Sequence, residues 1–96
     1  MKRAALLLIL ALLAPSAAAG PWRAEEGNVS GWQLMSPAER VEHQRRLRGF
    51  TRYEDCRAYQ EAHHAEMAAR AGAAGVVLTP RAQTACDQLR ARGRLK

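Results

Sequence analysis

Two cysteines, Cys56 and Cys86, constrain this chain more than any other residues, because few large apolar side chains accompany them. Their chemistry depends on where the chain goes. Lys2 and Arg3 precede an unbroken apolar run, Ala4–Ala14, which Pro15-Ser16 interrupts before the small residues Ala17-Ala18-Ala19. This is the three-part pattern of a secretory signal peptide, and it predicts cleavage between Ala19 and Gly20. Eleven apolar residues reach only about 16 Å as a helix, whereas a membrane span takes ~20 residues. The expected product is therefore periplasmic or secreted, and not membrane-spanning after cleavage. In an oxidising compartment an even pair of cysteines defaults to one disulfide. Neither cysteine belongs to a C-x-x-C motif; a metal pair or free thiols are the alternatives. Closing a loop of about 30 residues stabilises a fold by roughly 3–4 kcal/mol.

That staple matters because the core is thin. The chain has 96 residues, enough for one small domain and too few for a multidomain enzyme. Of its 48% apolar residues, about a third belong to the leader. Residues 20–96 keep 13 basic against 9 acidic side chains and 16 large apolar residues, from Trp22 to Leu95. A core of that size is marginal without a cross-link, and it leaves room for a homodimer.

Local signals predict helices. Gly20–Met35 holds three glycines and no periodicity, and reads as an extended, flexible arm over residues 20–35 whose tail end, Trp32-Gln33-Leu34-Met35, can dock on the helices. Ser36-Pro37-Ala38-Glu39 combines an N-cap, a proline at the first helical position and a capping-box glutamate. The helix it opens should run to about Arg48, stopped by Gly49, with Ala38, Val41 and Leu47 as its thin apolar face. Thr51 and Glu54 repeat the box for a second helix to about Ala71. On that helix Cys56, Tyr59, His63 and Met67 form one stripe. Val76-Val77-Leu78 reads as an extended run lying on the helices. Thr79-Pro80 opens a third helix with Ala82, Cys86 and Leu89 on one face. Helix two rises about 22 Å from Cys56 to Ala71 at ~1.5 Å per residue. An extended Gly75–Thr79 run and the start of helix three cover a similar distance on the way back. The expectation is all-α: a helical hairpin plus a short C-terminal helix, residues 36–96, stapled by Cys56–Cys86.

Candidate functional residues are few. Met35, His63, His64 and Met67 make a soft Met/His donor set suited to copper, or less well to zinc. Adjacent histidines point about 100° apart on a helix, and His at i and i+4 is absent. In a hairpin turning at Gly49–Thr51, His43 falls about 9 Å short of His63. Plain core packing is the competing reading of Met35, His63 and Met67. No catalytic triad, phosphate loop, H-E-x-x-H or paired-carboxylate signature occurs, so no enzyme and no resident cofactor is expected. Arg90, Arg92, Arg94 and Lys96 form a basic C-terminal surface, without the aromatic interleaving of a nucleic-acid binder.

The segments Leu34-Met35-Ser36-Pro37-Ala38-Glu39-Arg40, Tyr53–Tyr59, His63-His64-Ala65-Glu66-Met67 and Cys86-Asp87-Gln88-Leu89 resemble a group of small exported proteins of proteobacteria. That group combines a leader, an H-H-x-x-M helix and two cysteines, and the resemblance implies no particular activity. More remotely, the Ser-Pro-x-Glu-Arg opening is similar to that of the helical periplasmic Spy/CpxP-type stress proteins. Their L-T-x-x-Q motif is absent here. The functional expectation is a periplasmic, non-enzymatic binding or stress-response module acting through its helical surface on a protein or envelope partner. The alternatives are a soft-metal (copper or zinc) binding protein and a structural component of the cell envelope.

Overall fold

Helix α1, Pro37–Gly49, starts where its signal lies. The Ser36 hydroxyl accepts from the Glu39 amide at 3.1 Å, and the Glu39 carboxylate accepts from the Ser36 amide at 2.8 Å. Two of the helix's orphan amide groups are thereby satisfied. The computed structural model describes residues 21–79 and 84–96. The expected leader with its Ala19–Gly20 junction, and Pro80 and Ala82 of the expected third helix, lie outside them. The described residues form α1, α2 (Tyr53–Ala74), α3 (Ala85–Ala91) and a short 3-10 turn at Trp32–Leu34, with no strand among them. The fold is all-α, with Cys56 and Cys86 joined in a disulfide across α2 and α3.

Several local expectations are corrected. Thr51 does not cap α2; the N-cap is Arg52, which offers no side-chain bond. The chain's tail supplies the acceptor instead. Lys96 donates its amide to the Thr51 carbonyl at 3.0 Å, and its own carbonyl accepts from the Tyr53 amide at 2.9 Å. At the far end α2 runs through Gly72 to Ala74. Gly75, at φ +70°, then lets the Val76 amide close back on the Ala71 carbonyl at 2.9 Å. That 6→1 bond satisfies a terminal carbonyl, which a stop at Gly72 would forgo. Helix α3 begins at Thr84, whose hydroxyl accepts from the Asp87 amide, rather than at Thr79-Pro80.

Helix α1 also buries a different face from the one expected. Val41 is 72% exposed, while His43 and Leu47, one turn apart, point inward. Beyond α2, Val76 and Val77 face solvent and only Leu78 packs on the core.

The segment read as a flexible arm is packed. Trp22, Ala24, Val29 and Met35 are buried in the same cluster as Leu47, Cys56, Met67, Cys86 and Leu89. Polar partners invisible to local patterning hold it. The Trp22 indole donates to the Gln88 side-chain oxygen at 2.8 Å, and the Asn28 side-chain Nδ2 donates to the same oxygen at 3.1 Å. The Ala24 amide donates to the Gln44 side chain on α1 at 2.9 Å. The arm thus ties α3 to α1.

Gly31 is required where the arm meets α2. It sits at φ +81°, and a Cβ there would lie 2.5 Å from the Met67 Cγ. Gly31→Ala should cost about 1–3 kcal/mol, combining left-handed strain with overpacking, and thermal melting will read it. Reducing Cys56–Cys86 should cost about 3–4 kcal/mol, measured as the shift in urea midpoint with and without reductant.

Candidate functional site

Between α1 and α2 lies a groove of about 360 Å³ lined by Met35, His43, Tyr59, His63 and Met67, with Glu39, Glu42, Arg46 and Glu66 toward its rim. Three of the four candidate metal donors, Met35, His63 and Met67, meet here. His64 is half-buried, with its ring centroid 6.4 Å from that of His63 and tilted 56° to it. The basic residues lie elsewhere: Arg90 and Lys96 about the start of α2, Arg94 against the Arg48 carbonyl at the end of α1, and Arg92 beside the arm residues Trp22 and Arg23.

His43 is the residue the hairpin arithmetic misplaced. Its ring stacks on His63 with centroids 3.9 Å apart. Phe50 and Arg52 have extended backbone, so the link between the helices is longer than a tight turn. Helix α1 is then displaced along α2 far enough to bring His43 level with His63. The sequence signal was the i,i+4 pair His43 and Leu47, masked by the more apolar Val41.

The two imidazoles have unlike surroundings. His43 Nδ1 shares a 2.8 Å hydrogen bond with the Tyr59 hydroxyl. His63 Nε2 is buried and has no hydrogen-bond partner. A buried polar atom left unsatisfied costs about 1–3 kcal/mol, so its presence calls for an explanation. Burial, and then the neighbouring His63 and His64, lower His43 to about 4. Burial, then His64, lowers His63 as well. Both rings are therefore neutral at pH 7, with lone pairs available. Burial raises the Tyr59 hydroxyl above its usual range, so it stays protonated.

An ion cluster holds the mouth of the groove. Arg70 on α2 donates to the Glu39 carboxylate on α1, to Glu66 one turn back, and to the Leu34 carbonyl at 2.9 Å. Hydrogen bonds from Arg70, then from the Ser36 amide, hold the Glu39 carboxyl at about 2. Arg46 lies over the Tyr59 ring at 5.0 Å. Glu42 pairs with Arg45.

Stacked imidazoles point their nitrogens in parallel planes and do not converge on one ion. Among the described residues, no three His, Cys, Asp or Glu side chains are placed to hold a metal together. Any metal here would need the methionine sulfurs. No family model matches the chain, and no curated protein or solved structure proves similar to it. The groove is therefore read from its own chemistry.

The histidines set a pH dependence. Their pKa values are lower in the folded than in the unfolded protein, so the unfolded state binds more protons below about 6.5. Stability is full above that pH and is lost as pH falls toward about 4, where His43 charges in the folded state. Urea midpoints measured at pH 7 and pH 5 should show this loss. His43→Gln should flatten it, and an unchanged difference would contradict the burial of a neutral His43.

Proposed function

We propose that the protein is an exported, non-enzymatic binding module and that its basic end docks on an anionic lipid surface of the cell envelope. The apolar leader and the disulfide support export. Among the described residues no helix is long and apolar enough to cross a membrane, so contact with lipid would be peripheral.

The observation that carries this reading is the tail's pairing with the start of α2. Gly93, at φ +77°, turns the chain after α3, and Leu95 is buried. The two backbone bonds of Lys96 to Thr51 and Tyr53 then fix the tail against the α1–α2 link. The Arg94 guanidinium reaches the Arg48 carbonyl at the end of α1, and Arg90 lies over the Tyr53 ring at 3.7 Å. Cations from α1 (Arg48), the link (Arg52), α3 (Arg90) and the tail (Arg94, Lys96) are gathered at one end of the molecule. Glu54 and Asp55 pair with Arg52, and Asp87 with Arg90, leaving a positive balance. Phosphate headgroups fit such a surface of long, exposed side chains, each basic residue near an anionic bilayer contributing about 1 kcal/mol.

Co-sedimentation with vesicles tests this. Binding is expected to phosphatidylglycerol-containing vesicles and not to pure phosphatidylcholine, and it should weaken steeply with salt. Arg94→Glu with Lys96→Glu should abolish it while leaving the melting temperature nearly unchanged. Equal binding to neutral vesicles, or none to anionic ones at low salt, would overturn the reading.

A further inference from the structure

We infer that the α1–α2 groove is a binding site for a single monovalent copper ion, held by His63 Nε2 and the thioether sulfurs of Met35 and Met67. The site is separate from the basic end and does not depend on it.

Three independent observations converge on this assignment. The first is the orphan nitrogen: His63 is about nine-tenths buried, lines the groove, and its Nε2 has no partner. The second is the donor set around it. Met35 and Met67 are both buried, yet both line the same groove. Met67 is held close by the Cβ-free Gly31, whose missing methyl leaves room for the Met67 side chain. A neutral imidazole with two thioethers is a soft, uncharged set that suits a closed-shell monovalent ion and ill suits a hard divalent one. The third is what is missing: no three nitrogen, thiol or carboxylate donors converge among the described residues. Both cysteines are in the disulfide. A zinc or calcium site is therefore not built here, and any ion that binds must accept sulfur from methionine.

The remaining groups have supporting roles. His43 stacks on His63 and is itself anchored by the Tyr59 hydroxyl, so it orients the ligand ring without converging on the ion. Glu39, Glu42 and Glu66 stand at the rim, each paired with an arginine, Glu39 and Glu66 with Arg70 and Glu42 with Arg45, so the rim adds little net charge beside the ion. His64, turned away from the stack, is not a ligand.

The test uses the purified, disulfide-intact protein under anaerobic conditions without thiol reductant, competing with bicinchoninate for Cu(I). One equivalent of copper should leave the chelator. The chain has three methionines, so methyl-selective NMR should show the Met35 and Met67 methyl signals shifting while that of Met1, where retained, stays. Met35→Leu and Met67→Leu conserve volume and should melt near the parent, yet weaken Cu(I) binding about tenfold or more. His64→Ala should bind as the parent does, and Zn(II) should not compete. Failure to withdraw copper from the chelator would overturn the assignment. So would copper binding that leaves both methyl signals unmoved or is indifferent to both leucine variants, or Zn(II) binding as tightly as Cu(I).

Discussion

The disulfide is the constraint on which the rest of the molecule depends, because of what α3 is and what hangs from it. A seven-residue helix does not stand alone in water, since nucleation costs more than so few hydrogen bonds return. The Cys56–Cys86 bond, wholly buried, fixes α3 on α2. From α3, Gln88 receives the Trp22 indole and the Asn28 amide, the arm reaches α1 through Gln44, and the tail returns to cap α2. One covalent link thus carries a closed circuit through every described element. The bond also supplies what a core of this size lacks, a sharp reduction in the freedom of the unfolded chain.

The same circuit presents both candidate surfaces. It brings the arm's Met35 to the groove between α1 and α2, and the tail's Lys96 to the start of α2. The groove is apolar below and carries arginine-paired carboxylates at its rim, and His63, whose Nε2 has no partner, shares its lining with Met35 and Met67. A different character appears at the basic end, where exposed guanidinium groups come from segments far apart in sequence. Buried nitrogens are rarely left unpaired, and the copper site inferred above would give the His63 Nε2 its partner.

What was legible in the sequence followed from local rules. The Ser36–Glu39 box, the α2 stripe through Cys56, His63 and Met67, and the pairing of the cysteines each need only neighbouring residues or simple counting. What was not legible depends on distant partners. Nothing near Trp22 or Asn28 announces Gln88, so a glycine-containing, aperiodic segment reads as loose although its polar groups are satisfied across the fold. Thr51 and Glu54 look like a cap, but the tail carbonyl of Lys96 takes that place. The relative height of His43 and His63 turned on the backbone of Phe50 and Arg52, which no composition reveals.

The central claim is that α3, once fixed by the disulfide, holds the arm and not merely itself. Hydrogen exchange at the Trp22 indole, followed by NMR in the oxidised and then the reduced protein, tests it most directly. The indole should exchange slowly in the oxidised form. On reduction it should lose protection together with the α3 amides, while the middle of α2 stays protected. A Trp22 indole that remains protected after reduction, with α3 already exchanging, would show that the arm is held without α3 and would contradict the account.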